Sequence, residues 1–251
     1  MRMLLTLCYD GSAYHGWQVQ SNALAVQPVV QDALERILGH RPGVSGCSRT
    51  DAGVHAREYC CHFDTQKRIA PEQVVSGLNF ALPRDIAARD CKVVQDDFHA
   101  RYSCTGKEYI YQIYNGKTRS PFYEKYALYQ YHRLDEQLLH DAAQGFVGRH
   151  DFAGFCAVRA KEGSSHRTVR LAQVEREGDL VRFIVQADGF LYNMVRIMVG
   201  TLLHVNAGRI NAQDITDIVA SGDRRRAGPT APAHGLFLNR VFYSDLGKAV
   251  K

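Results

Sequence analysis

The chain has 251 residues, of which 45% are apolar and 23% charged, a balance that allows a sizeable buried core and excludes disordered, collagen-like and coiled-coil classes. No apolar run approaches the ~20 residues that a membrane-spanning helix needs, and the opening MRMLLTLCYDG is cut short at Tyr9, Asp10 and Gly11, so it reads as a first strand and not as a leader peptide. The net charge of +5 is uneven: ten Lys/Arg face eleven Asp/Glu up to residue 100, and twenty-one face fifteen beyond it, which permits a polyanionic partner such as nucleic acid.

Alternating or β-rich runs predict strands at 3–9, 43–48, 59–64 and 86–94. Between them, 26–38 is predicted helical because Val30, Ala33, Leu34, Ile37 and Leu38 recur at helical spacing, and 71–81 because Pro71 stands at a first-turn position. The resulting order, β-α-β-β-α-β, is that of a split ferredoxin-like unit. The second half repeats it, with strands at 108–114, 168–175, 180–187 and 238–243, helices at 135–146 and 191–205, and a further helix at 212–220. The prediction is an α+β fold of two ferredoxin-like halves with antiparallel sheets joined across a central cleft. Residues 1–100 form the N-terminal half and 101–251 the basic C-terminal half. Clefts between halves are favoured places for ligands. The irregular stretches 10–27, 117–133, 156–167 and 222–235 are longer than ordinary connections, and long ordered loops tend to carry function.

Three clusters have the composition for chemistry. In SRTDAGVHA (48–56), Asp51 lies two residues after Arg49 and two before Gly53, so its carboxylate can project from a tight turn beside a cation that keeps it ionised. On spacing alone, a turn-starting aspartate with Arg49 as a solvated neighbour is the readier reading. His55 reads likewise as a packing or hydrogen-bonding residue, and Cys47 as a small buried one. In KEYIYQIY (107–114), Tyr109 and Tyr111 share a strand face, where they serve either a buried aromatic strand or the stacking of a base. In GFLYNMVRIMVG (189–200), Leu191, Val195, Met198 and Leu202 make an ordinary core face. Arg196, set amid Val195, Ile197 and Met198, must reach solvent or an anion, and Asp51 is the candidate partner.

No metal is expected. The seven cysteines are odd in number and form no C-x-x-C pair, and no zinc-hydrolase or deaminase signature occurs. Reduced thiols in a cytoplasm are the simplest account. Neither a phosphate-binding P-loop nor a dinucleotide glycine pattern is present.

Seven segments in order, YDGSAYHGWQVQ, SRTDAGVHA, LNFALPRDI, FHARYSCTGKEYIYQI, HDFAGF, GFLYNMVRIMVGTL and GPTAPAHGLFL, cover nearly the whole chain. Together they closely resemble the tRNA pseudouridine synthases of the TruA type. The resemblance implies a cofactor-free isomerase that breaks the N1–C1′ bond of a uridine, turns the base and rejoins it through C5, acting at positions 38 to 40 of the tRNA anticodon stem-loop. It maps the catalytic aspartate onto Asp51 and the active-site tyrosine onto Tyr109, and it gives Arg196 the task of orienting Asp51. Arg49, His55 and Lys107 are expected at the substrate, with Arg49 filling the space left by the extruded base or binding the backbone. Arg224, Arg225 and Arg226 are expected to meet phosphates. A homodimer gripping one tRNA is implied as well. The chain departs from the pattern at Glu58, Tyr59, Cys60 and Cys61, where Gly-Gln-Val and a small or aliphatic residue are expected, and at Asn206 and Ala207, which replace a more glycine-like segment. The competing readings are a non-catalytic tRNA binder or folding helper on the same scaffold, and a basic protein whose partner is another protein.

Overall fold

The first strand, β1 (Arg2–Tyr9), turns Met3, Leu5, Leu7 and Tyr9 to one face, and all four are buried. These and the following details come from a computed structural model, which describes residues 1–157 and 164–244. Two helices supply the matching apolar faces: α1 (Val26–Leu38) buries Val26, Val30, Ala33, Leu34 and Leu38, and α2 (Pro71–Ala81) buries Val74 and Leu78. Each buried Val or Leu side chain stabilises the fold by about 1.5–3 kcal/mol relative to exposure. Both helices have the predicted limits, and local chemistry accounts for them. Gly39 ends α1 in the left-handed region at φ 81°, while Pro71 opens α2 and the Gln73 side chain closes back on the Ala70 amide at 3.1 Å.

The strands β2 (Val44–Gly46), β3 (His55–Asp64) and β4 (Ile86–Val94) complete the split pattern. β1 lies between β4 and β3, antiparallel to both, and β2 runs antiparallel along the far end of β3. β3 begins at His55, four residues before the predicted start, because Ala56 pairs with Tyr9 while His55 and Ala56 lie opposite Phe237 and Leu238 of β10 (Leu236–Tyr243). The chain clusters into two compact units, Met1–Thr105 with the stretch from Phe237 onward, and Gly106–Leu236. Sequence order places β10 in the second half, whereas its parallel pairing with β3 groups it with the first unit.

In the second unit, β5 (Cys104–Tyr114, from Gly106 onward), β9 (Leu180–Ala187), β8 (His166–Glu177) and β7 (Gly148–Asp151) are neighbours in that order, all antiparallel. A two-residue strand, β6 (Leu128–Tyr129), adds in parallel to the end of β5 and carries the middle of the 117–133 loop with it. Neither β6 nor β7 was predicted, since each is too short for an alternation to register. The helices are α3 (Glu136–Ala143), α4 (Met194–Asn206) and α5 (Ile215–Ser221). A 3-10 turn, Gln144–Phe146, continues α3, and another, Ala212–Asp214, precedes α5, where the predicted helices were continuous. α4 starts at Met194 and not at 191, and it is buried almost all round, beyond the single face expected. The 156–167 loop lies partly outside the described residues.

Candidate active site

Asp51 sits in the turn between β2 and β3, in the first unit. Main-chain contacts hold this turn from several sides. Cys47 donates to the Cys60 carbonyl at 2.8 Å, Trp17 to the Thr50 carbonyl at 3.3 Å, Gly53 to the Tyr14 carbonyl at 3.1 Å and Val54 to the Asp51 carbonyl at 3.2 Å. The 11–17 stretch approaches so closely that a Cβ on Gly11 would collide with the Val54 carbonyl, and one on Gly16 with the Thr50 carbonyl. Side chains lock it further. The Tyr59 hydroxyl donates to the Ser48 carbonyl, Tyr9 and Thr50 share a hydroxyl hydrogen bond at 2.8 Å, and Tyr59 stacks on Trp17 with ring centroids 4.1 Å apart. Burial pushes the Tyr59 phenol well above its ordinary pKa, so it remains a donor.

Arg49 is exposed on this turn and Asp51 is half-buried. His55 is only 1% exposed. Its Nδ1 accepts from the Gly11 amide at 3.1 Å, and its ring stacks on Phe237 at 4.6 Å. Asp10 Oδ1 also lies 3.1 Å from that nitrogen, and it accepts from the Ser12 amide at 2.9 Å. His55 is thus packed between the Gly11 amide and the Phe237 ring. Cys47 is fully buried, as expected of a small core residue, and none of the seven cysteines, all within the described residues, is in a disulfide.

In the second unit, Lys107, Tyr109 and Tyr111 share one face of β5 and are all buried. Tyr109 meets Phe190 edge-on at 5.0 Å, an aromatic partner that sequence reading did not single out. The Tyr111 hydroxyl donates to the Pro232 carbonyl at 2.9 Å. Burial raises the pKa of that phenol, and the positive charge of Arg196 opposes the rise. Arg196, on the first turn of α4, donates through Nε to the Ala231 carbonyl at 2.6 Å and through Nη1 to Asn193 Oδ1 at 2.8 Å.

Two glycines explain how Ala231 reaches that place. A Cβ on Gly200 would collide with the Pro229 carbonyl, and one on Gly228 with Gly200, so the 228–231 segment lies backbone against backbone on α4. Thr201 closes the contact, accepting from the Gly228 amide at 2.8 Å while donating to the Ile197 carbonyl at 2.8 Å. Arg224 belongs to the same construction, with Nη1 on the Gly228 carbonyl at 2.8 Å and Nη2 3.4 Å from the Thr230 hydroxyl. Arg225 is highly exposed and paired with Asp223 at 2.8 Å, which holds that carboxyl down at about 2; Arg226 is exposed. Of the three consecutive arginines, then, one is structural and two reach solvent.

The sequence profile of the tRNA pseudouridine synthases matches residues 7–103 and 142–244. The chain belongs to the tRNA pseudouridine synthase family. It is 42% identical over 239 residues to a tRNA pseudouridine synthase A of Clostridium kluyveri, covering 95% of this chain and 98% of that protein. The corresponding Clostridium acetobutylicum protein is 44% identical over 240 residues, with 95% and 98% covered, and that of Exiguobacterium sibiricum 42% over 249, with 99% of each covered. A chain in the crystal structure of a Cbf5-Nop10-Gar1 complex aligns over 95% of this chain and 59% of that one, at 12% identity and a TM-score of 0.36, too low to argue from. The matched segments of the family hold Arg49, Asp51 and His55 on one side and Arg196 with its Ala231 and Asn193 partners on the other, while Lys107 and Tyr109 fall between them.

Proposed function

We propose that this chain is a tRNA pseudouridine synthase that isomerises uridine in the anticodon stem-loop, at positions 38 to 40, with Asp51 as the catalytic residue. The observation that carries the reading is the clamped turn. A carboxylate presented by a backbone fixed through Ser48, Thr50 and Gly53 is preorganised for chemistry at a sugar carbon. Asp51 acts at the ribose, either attacking C1′ or removing the C2′ proton, and the C1′–N1 bond breaks. The uracil turns and C5 bonds to C1′ as the Asp51–C1′ bond breaks or, on the second route, as the proton returns to C2′; the C5 proton then leaves and N1 gains one, so atoms and electrons balance with no cofactor. Tyr109 stacks on the displaced uracil and Arg196 keeps Asp51 ionised and oriented.

The target uridine must leave its stack, which costs a few kcal/mol, and phosphate contacts offset that cost. Arg49, Lys107, Arg225 and Arg226 are the cations assigned to the RNA. A cytoplasmic homodimer that holds one tRNA across both subunits belongs to the same reading. None of the helices among the described residues is long and apolar enough to cross a membrane.

The test uses tRNA transcripts carrying tritium at uracil C5. Wild-type protein is expected to release label into water, and Asp51→Asn to release none while binding tRNA with about the same affinity. Normal release by Asp51→Asn would refute the assignment of Asp51.

A further inference from the structure

The turn that leads into β5 has a buried root and an exposed tip. Ala100, at the root, is fully buried; its amide donates to Nδ1 of the buried His62 at 3.1 Å, and its carbonyl accepts from the Tyr243 hydroxyl at 2.7 Å. Arg2 Nη1 donates to the Phe98 carbonyl at 2.9 Å. Across the turn, the Ser103 amide donates to the His99 carbonyl at 2.8 Å and the His99 amide to Ser103 Oγ at 3.0 Å. His99 Nδ1 accepts from the amides of Arg101 and Tyr102 at 3.1 and 3.4 Å. This backbone presents Tyr102 with 77% of its surface exposed. The His99 ring supports it at a centroid distance of 4.4 Å, and the Arg101 guanidinium carbon lies 5.8 Å from its centroid, within cation–π range. A lone exposed aromatic ring is ordinary on a protein surface. One whose backbone is tied at every amide from residue 100 to 103 has its ordering cost met before any partner arrives.

We propose that this turn is a stacking platform for an unpaired nucleobase of the tRNA, separate from the target uridine, with the Tyr102 ring as its surface and Arg101 as its cation. The inference rests on the reading of tRNA as the substrate. Two features select a base as the occupant. The residues that flank the ring, His99, Arg101 and Ser103, are polar, whereas a protein-binding patch is a contiguous apolar area. Arg101 is exposed, and its guanidinium has no ion pair among the described residues, which leaves it open to a phosphate. The acids that precede the turn, Asp96 and Asp97, add to Asp64, the strongest influence, in steadying the charge of Arg2. An aromatic face with a cation at its side takes bases of any identity. Its place in the first unit separates it from the chemistry. His62, which anchors Ala100, stands seven residues along β3 from His55 at the Asp51 end, about 23 Å of strand.

The test measures the affinity of a tRNA transcript over a range of salt concentrations for the wild type, Tyr102→Phe, Tyr102→Ala and Arg101→Ala, alongside melting temperature and sedimentation. Tyr102→Ala is expected to raise Kd about tenfold at every salt concentration, as loss of one stacked base does, and Tyr102→Phe, which keeps the ring, to stay within about twofold of wild type. Arg101→Ala should reduce the salt slope by about 1. Because the tip is on the surface, melting temperatures should hold to within about 2 °C. Tyr102→Trp gives a direct reading. After subtraction of the signal of Trp17, the chain's own tryptophan, its fluorescence should be quenched by the tRNA and not by a fully paired RNA duplex. Wild-type affinity for Tyr102→Ala, an equal loss for Tyr102→Phe, an unchanged slope for Arg101→Ala or equal quenching by the duplex overturns the proposal. So does a loss of affinity that comes with a changed oligomeric state or a lowered melting temperature. Wild-type protein that binds no tRNA would overturn both this inference and the function on which it rests, whereas tRNA binding indifferent to residue 102 overturns this one alone.

Discussion

Tyr59 connects a departure from the family pattern to the turn that carries Asp51. Where Gln is the expected residue, a buried tyrosine stacks on Trp17 and donates to the Ser48 carbonyl, three residues from the carboxylate. Tyr59→Phe keeps the stacking and deprives that carbonyl of its donor, at a cost of about 1–3 kcal/mol. Chemical denaturation should show that loss, and tritium release should fall several-fold because the turn is less firmly held, while tRNA affinity stays the same. Arg224 presents the opposite case to its neighbours. Since its guanidinium holds the 228–230 backbone, Arg224→Ala is expected to lower the melting temperature more than tRNA affinity.

Among the elements, α4 and β3 do the most to hold site residues. α4 is approached by the 228–231 backbone where a side chain at 200 cannot fit. Gly200→Ala should therefore destabilise the protein by about 1–3 kcal/mol, and it should slow turnover by moving the Ala231 carbonyl off Arg196, both measurable on one preparation. β3 contains His62, whose Nδ1 accepts from the Ala100 amide at 3.1 Å. Burial holds this imidazole down at about 4, and the nearby His99 and Arg2 add to the shift while Asp64 opposes it. The unfolded ring takes a proton near 6.5, whereas the folded ring stays neutral until about 4. Between those values the unfolded state binds more protons. The stability that His62 contributes is thus complete above about pH 6.5 and is lost as pH falls toward 4. A series of melting temperatures from pH 7 to pH 4.5 should fall less steeply for His62→Gln, which keeps an acceptor and cannot be protonated.

At the level of the whole molecule, the split β-α-β-β-α-β order of the first unit comes from consecutive sequence, and the excess of positive charge follows residue 100. RNA binding through phosphates predicts that log affinity falls linearly with log salt concentration. Arg225 and Arg226 extend into solvent, so replacing both by alanine should reduce the slope by about 1–2 and weaken binding to different tRNAs alike. The pairing of Arg225 with Asp223 favours the lower end of that range. A slope unchanged in the double variant would remove these residues from the RNA surface.

What the sequence by itself determined is whatever short-range chemistry controls. The limits of α1 and α2 follow from helical spacing, Gly39 and Pro71, and the turn bearing Arg49 and Asp51 is marked by its own Asp and Gly between two β-rich runs. The seven family segments supplied the expected chemistry because they combine residues that no single spacing argument could link. Tertiary structure alone decided the rest. The parallel pairing of β10 with β3 joins positions some 180 residues apart, and no local pattern encodes which edge a strand will choose. The left-handed backbone of Asn193, the burial of His55 against Phe237 and the bonds of Arg224 to the 228–230 segment all depend on neighbours distant in the chain or on dihedral angles. A side chain's type limits what it can do, but the groups that surround it after folding decide which of those things it does.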